Sequence, residues 1–321
     1  MLTIRRFCPA FLLLAAAGCA AASHSPIEPA RTGHDAKMGT RLAANTVESR
    51  SFRSKLLNAD VTYHVVLPAA MQRDPEARYP VIYWLHGSGG YPPGVLDMLA
   101  GGFYNAMSEG KMDPAIIVFP DGFENTLWAN AADGSRPVEN MLVKELVPHV
   151  DLTLPTRDNP GARAIEGASM GGYGAARLGM LYPDVFGTIS MINPGPMQPV
   201  LDPQNTPLAG SARATATLND VFGGDVEDFK RRSPWAIAQA FANRNCKQSR
   251  IRMILGKNDP ITPTNLMFSR RLRELGIPHE VRLIAEAGHN PREMLKSLGE
   301  DHWAFFNMAP TEQADRDPSC G

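Results

Sequence analysis

An α/β fold built on a mostly parallel central sheet is what this sequence predicts, and three observations predict it. Short continuous apolar runs at 81–85 (VIYWL) and 115–119 (AIIVF) read as strands buried on both faces. Stretches with helical apolar spacing alternate with such runs, the order of βαβ units. Turn residues close each run, His86-Gly87-Ser88-Gly89-Gly90 after the first and Pro120-Asp121-Gly122 after the second. With 321 residues, 44% apolar and 20% charged, the chain is neither disordered nor fibrous and can bury one large core.

The elements follow in order. Residues 61–67 (VTYHVVL) form a strand ahead of 81–85 and 115–119. Residues 139–150 (ENMLVKELVPHV) carry apolar positions at helical spacing. A short strand at 163–166 runs into Gly167, and 170–182 reads as a helix of small residues. A strand at 188–192 (TISMI) precedes a loop-rich insertion near 194–250, with one helix expected at 234–243. Residues 251–255 (IRMIL) form a strand, and Thr262-Pro263 opens a helix that Gly276 closes, proline being suited to the first turn and glycine to the stop. The last strand is 280–284 (EVRLI). Asn290-Pro291-Arg292-Glu293 resembles a capping box that starts a final helix to about Asn307.

The N-terminus reads as an export leader. Arg5 and Arg6 precede the apolar run 10–17 (AFLLLAAA), too short to span a bilayer and right for a signal peptide. Ala16-Ala17-Gly18-Cys19 resembles a bacterial lipobox, with Ala16 where leucine is commoner. The expectation is therefore a signal peptide over 1–18, lipidation at Cys19, a flexible tether over 20–45, one domain over 46–310 and a tail over 311–321. Plain cleavage after Ala20 or Ala22 is the alternative. Either route exports the protein, as an outer-membrane lipoprotein held by lipid alone or as a periplasmic or secreted one. Outside the leader, Cys246 and Cys320 remain. An oxidising compartment permits their pairing, and two unpaired thiols are the plainer reading. No CxxC or His/Cys cluster points to zinc, so no metal is expected. The net charge of −1 gives no field to attract nucleic acid.

Chemistry concentrates in Gly167-Ala168-Ser169-Met170-Gly171. This G-x-S-x-G pattern lies between a strand and a helix, where a sharp turn lifts the serine hydroxyl above the sheet edge and small flanking residues make room for it. The helix N-terminus favours developing negative charge. A tight-turn serine without chemistry is the plain alternative. Serine needs a base, and of eight histidines only His289 follows the serine in a loop after a strand. His86 also ends a strand but comes before Ser169, and His24, His34, His64, His149, His279 and His302 lie in tether, strand, turn or helix. The imidazole needs a carboxylate to hold its tautomer. Asp259, directly after 251–255, stands at the same edge, although it could simply cap the next helix; rivals are Glu286, Asp202, Asp220, Asp225 and Asp228. For an oxyanion, the backbone N–H groups of Met170 and Ser88 are the expected donors, with Gly89 next. His86, Gly87, Tyr91 and Trp128 are candidate substrate contacts, with Pro92-Pro93, Gly102-Phe103-Tyr104 and the remainder of 127–130 as further pocket loops. Arg136 and Glu139 read more simply as a solvated helix start.

Tyr83-Trp84-Leu85-His86-Gly87, 165–175 (IEGASMGGYGA), Gly256 with Asp259, and Gly288-His289-Asn290 together resemble the esterase branch of the α/β-hydrolases. That group includes S-formylglutathione hydrolase (the esterase D type), feruloyl and acetylxylan esterases, and mycolyltransferases. The resemblance covers about 50–308 and includes the helix at 139–151. It implies the α/β-hydrolase fold and a serine carboxylesterase without cofactor, acting on a small-molecule, sugar or aryl ester. An acyltransferase with the same acyl-enzyme, or a surface-binding lipoprotein that has lost catalysis, are the alternatives. The stretch 194–250 fits no substrate-specific pattern, so the resemblance does not choose a substrate.

Overall fold

The computed structural model of the chain describes residues 47–201, 203, 210–244 and 249–308. The expected leader, tether and tail, with all four cysteines, lie outside the described residues. The described chain opens with an antiparallel hairpin, β1 (Glu48–Ser54) and β2 (Ala59–Val66). β3 (Val81–Leu85), α1 (Val95–Ser108) and β4 (Ile116–Pro120) follow. Next come three consecutive helical pieces: α2 (Val138–Asn140), a π-helical stretch (Met141–Leu146) and α3 (Val147–Thr153). β5 (Arg163–Ala168), α4 (Met170–Leu181) and β6 (Thr188–Ile192) form the middle of the fold. After α5 (Gly210–Phe222), α6 (Val226–Arg232) and α7 (Pro234–Asn243) come β7 (Arg250–Gly256), α8 (Thr262–Glu274) and β8 (Glu280–Ile284). α9 (Pro291–Ser297) and α10 (Glu300–Ala304) complete it.

The eight strands form one sheet in the order β1-β2-β4-β3-β5-β6-β7-β8. Pairing is antiparallel at β1/β2 and β2/β4 and parallel from β4 through β8. The mostly parallel sheet flanked by helices is thus as the sequence predicts. Every residue of β3, β4, β5 and β6 is buried, which is why those strands are continuous apolar runs rather than alternating ones. Their two-residue period still sorts side chains between two cores. Tyr83, Leu85 and Ile165 join one with α4, α5 and α7. Ile82, Trp84 and Ala168 join the other with α1 and α9.

The sheet order reverses at β3: the chain steps out to β4 and then returns to β5 on the opposite side. In open parallel sheets the crevice above such a reversal, at the carboxyl ends of the strands, is where ligands bind. Ser88 follows β3 and Ser169 follows β5 at that edge.

Three expectations are corrected. The stretch 194–250 holds three described helices, not one; α5 buries Ala214, Leu218, Val221 and Phe222 on one face. Its alanines and threonines hide that stripe from a hydrophobicity reading. The final helix is two, interrupted at Leu298-Gly299. Gly102-Phe103-Tyr104 is not a pocket loop but part of α1, whose Phe103 is buried against Trp303 and Phe306. Strand β1 and helix α1 themselves have no counterpart among the predicted elements.

Candidate active site

Ser169 sits between β5 and α4 with φ 57° and ψ −119°, a left-handed conformation that costs a non-glycine residue of the order of 1–3 kcal/mol and persists only where its surroundings enforce it. Here they do. Ser169 N–H donates to Ile192 O at 2.9 Å, and Ser169 O accepts from Tyr173 N–H and Gly195 N–H, both at 3.0 Å. The two flanking glycines are a steric requirement: a Cβ on Gly167 would strike the backbone of Gly171, and one on Gly171 would strike the backbone of Leu85. The spacing in the sequence pattern is therefore the spacing at which β3, β5 and α4 touch.

His289 lies after β8 and Asp259 after β7, and the fold brings both to Ser169. His289 Nδ1 lies 2.7 Å from Asp259 Oδ2. A carboxylate only accepts, so Nδ1 carries the proton and Nε2 is left bare. Ser169 Oγ–H then donates to His289 Nε2 at 3.0 Å. The Asp259 side chain has no exposure, while 23% of the His289 side chain remains open to solvent. Ile261 N–H donates to Asp259 Oδ1 at 3.0 Å, so both carboxylate oxygens are engaged and the group is fixed in place. The capping alternative for Asp259 is also visible, since that bond closes the turn into α8; one carboxylate does both.

The rival carboxylates fall elsewhere. Glu286 is exposed, Asp220 is exposed, Asp225 caps α6 through Glu227 N–H at 2.8 Å, and Asp228 pairs with Arg232. Asp202 lies outside the described residues. The other described histidines have their own partners: His64 with Ser49 Oγ, His149 with the Tyr63 hydroxyl, and His279 with Ser269 Oγ. His302 lies in a buried cluster with Glu166, Ser190 and Arg252. Burial lowers its pKa well below the ordinary histidine value, and Arg252 lowers it further. Burial also raises the Glu166 carboxyl against the opposing pull of Arg252, and draws the Arg252 guanidinium down to about 10.

Gly87 lies against the elbow, a Cβ there falling 3.6 Å from Ser169 Cβ. Neither Ser88 N–H nor Met170 N–H engages an acceptor among the described residues, and the first amides of a helix such as α4 have no intrahelical partner. Both are thus free to receive an anionic oxygen above Ser169.

Two cavities, of about 180 and 240 Å³, flank Ser169 and His289 and share Ser88 and Arg213 on their walls. Asn125, Leu127, Pro196, Leu201 and Ile261 line the first. Gly87, Tyr91, Pro92, Val95 and Met294 line the second. Of the four candidate contacts, Gly87 and Tyr91 reach a cavity and His86 and Trp128 do not. His86 is buried and structural: Gly122 N–H donates to its Nε2 at 2.9 Å, so its Nδ1–H donates to Gly87 O at 2.8 Å. Trp128 is wholly buried, with its indole N–H donating to His86 O at 3.1 Å. It braces a loop in which Phe123, Asn125, Leu127 and Trp128 all adopt positive φ, and two of these line the first cavity. Glu139 is not solvated: it is buried, paired with Arg177, and accepts from the Tyr182 hydroxyl. Arg213, Asn125 and Ile261 escaped the sequence reading, because no motif marks them; only the folding of α5 and of the strained loop brings them to Ser169. Among the described residues, no group of three or more His, Cys, Asp or Glu side chains could hold a metal ion.

A family model described as "Putative esterase" matches residues 54–306. The chain is 26% identical over 170 residues to an "Endo-1,4-beta-xylanase/feruloyl esterase" of Xylanibacter ruminicola, covering 49% of this chain and 23% of that one. It is 26% identical over 230 residues to an esterase of Mycobacterium tuberculosis, covering 63% of this chain and 47% of the relative. The chain thus spans less than half the length of these curated relatives. Among solved structures, a ferulic acid esterase superposes with a TM-score of 0.66 at 21% identity, covering 81% of this chain and 97% of that one, a likeness of fold.

Proposed function

The chain belongs to the family described as "Putative esterase", and from that premise we propose that it is a serine carboxylesterase working through an acyl-enzyme on Ser169. One observation carries the reading: the unbroken line from Ser169 Oγ to His289 Nε2 at 3.0 Å and from His289 Nδ1 to Asp259 Oδ2 at 2.7 Å, set at a strained strand-to-helix turn.

In this reading Ser169 Oγ attacks the ester carbonyl carbon while its proton passes to His289 Nε2. The carbonyl oxygen becomes an oxyanion held by the Ser88 and Met170 amides, donors fixed before the charge arrives. Asp259 keeps the imidazole in the receptive tautomer and stabilises the imidazolium. The tetrahedral intermediate collapses, the C–O bond to the alcohol breaks, and His289 returns its proton to the leaving oxygen. Water then attacks the Ser169 ester, gives its proton to His289, and releases the acid and free serine. The steps need no cofactor. The apolar cavity walls suit a small acyl or aryl group, such as an acetyl or feruloyl ester.

The test is hydrolysis of 4-nitrophenyl acetate, butyrate and octanoate and of methyl ferulate, with Ser169→Ala beside the wild type. Activity abolished in the variant supports the reading, and the preferred acyl group sizes the pocket. Turnover unchanged in Ser169→Ala overturns it. The reading also includes export as a lipoprotein through Cys19. Metabolic labelling with a fatty-acid probe in a bacterial host checks this; labelling should vanish in Cys19→Ser, and an unlabelled wild type overturns the lipoprotein assignment.

A further inference from the structure

Arg213 stands on the first turn of α5, in the wall of both cavities and in company with Ser169 and His289. It is exposed and makes no hydrogen bond, ion pair or ring contact among the described residues. Several other arginines of the described chain are engaged. Arg231 and Arg232 pair with Asp228, Arg177 with Glu139, and Arg252 with Glu166. No aspartate or glutamate lines either cavity among the described residues. The nearest catalytic carboxylate, Asp259, has no exposure and is already committed to His289 and the Ile261 amide. Among the described residues, the walls above the candidate nucleophile thus carry one permanent cation, are otherwise apolar or neutral, and hold no anion to neutralise it.

We propose that Arg213 is a specificity-determining contact, and that the ester this site takes carries a carboxylate that the guanidinium binds while Ser169 attacks the ester carbonyl. The inference deepens the esterase reading and rests on it. Arginine suits the task because its planar fork meets a carboxylate with two parallel N–H donors. Ordering the side chain is offset by the charge-assisted bonds, so the gain is moderate at a half-open site. A net preference of about tenfold for the charged ester is the expected scale. The contact is exposed, so the preference should shrink as salt rises and the Debye length falls from about 10 Å at 0.1 M to about 3 Å at 1 M.

Because Arg213 reaches both cavities, the carboxylate can sit on the acyl or the alcohol side, and two matched pairs of esters separate these. Mono-4-nitrophenyl adipate against methyl 4-nitrophenyl adipate places the charge on the acyl chain. 4-Acetoxybenzoate against methyl 4-acetoxybenzoate places it on the leaving alcohol. kcat/KM is measured for each pair with wild type, Arg213→Gln and Arg213→Lys, at low and high salt. The expected result is that one pair favours its anionic member by about tenfold, carried mainly by KM. Arg213→Gln should bring that ratio close to one, and Arg213→Lys should keep part of it. A wild type that prefers neither anionic ester, or a preference that survives in Arg213→Gln, overturns the assignment while leaving the esterase reading intact. Turnover of no ester together with a Ser169 inert to a fluorophosphonate probe overturns the esterase reading itself, and the Arg213 assignment with it.

Discussion

Replacing Asp259 with asparagine tests the candidate triad without disturbing its shape. Asp259 Oδ1 accepts from Ile261 N–H at 3.0 Å and Oδ2 accepts from His289 Nδ1–H at 2.7 Å. In Asp259→Asn the amide oxygen must remain on Ile261, whose N–H can only donate. The amide NH₂ then faces His289 Nδ1, and two donors cannot share one bond. The imidazole therefore takes the other tautomer, with its proton on Nε2 pointing at Ser169 Oγ, where the base should be. In serine hydrolases this inversion lowers kcat by about 10⁴, equivalent to about 5.5 kcal/mol of transition-state stabilisation at 1.36 kcal/mol per decade. Steady-state hydrolysis of 4-nitrophenyl butyrate measures it, with a thermal melt to show that the fold survives. Glu286→Gln is the control, since Glu286 is exposed and is not a hydrogen-bond or ion-pair partner of either group among the described residues; its kcat should stay within about twofold, the scale of an uncoupled surface change. If folded Asp259→Asn keeps its kcat within tenfold, the tautomer argument fails and some other group orients the base.

Two further outcomes follow from packing and charge. Gly171→Ala drives a methyl group into the Leu85 backbone, which cannot rotate aside. Overpacking against backbone should cost about 3 kcal/mol or more, seen as a melting point lowered by several degrees or as failure to fold; a normal melt refutes the elbow packing. His302 gives a pH signature. Arg252 donates to His302 Nδ1 at 2.9 Å, so the buried ring is held neutral, and its pKa is pushed well down by burial. The unfolded chain binds a proton at about 6.5 where the folded one does not. The stabilisation is therefore complete above about pH 6.5 and drains away as pH falls below it, by up to about 1.4 kcal/mol per pH unit. Urea unfolding of wild type and His302→Gln at pH 7.5 and 5.5 should show a slope shallower by about one proton in the variant; equal slopes refute the assignment.

The sheet and the candidate triad were legible for related reasons. β3, β4 and β6 are buried on both faces, so their apolar runs are unbroken. Ser169 and Asp259 stand just beyond the buried strands β5 and β7, His289 lies in the loop after the partly exposed β8, and parallel strands bring their carboxyl ends to one edge. α1 was not legible because Gly101 and Gly102 interrupt it and Pro92-Pro93-Gly94 precedes it, all turn signals locally. The fold explains Gly102: a Cβ there would lie 3.2 Å from the Trp303 ring, so the missing side chain admits α10 against α1. Trp128 misled in the opposite sense. An aromatic residue after a strand at the site edge suggests a substrate wall, yet Gly122 and Gly174 leave a slot for its ring, and it serves as a brace for the loop that does reach the cavity.

On the proposed reading, the contrast between these cases separates catalysis from specificity in this chain. The candidate catalytic geometry depends on strand ends, and strand ends are set by local patterns that a sequence displays. The cavity walls depend on how α5, the loop with positive φ at Phe123–Trp128 and the start of α8 converge. None of these has a pattern of its own, because each is held by packing from distant parts of the chain. Arg213 is the sharpest example: on α5 it is one arginine among alanines and threonines, and its proximity to Ser169 arises only when Ala214, Leu218 and Phe222 are buried beneath it. On the proposed reading, a shared family and fold therefore say much about how Ser169 would react and little about with what. On that reading, the walls contributed by α5 would decide substrate choice, and they are the part of this chain to vary when that choice is measured.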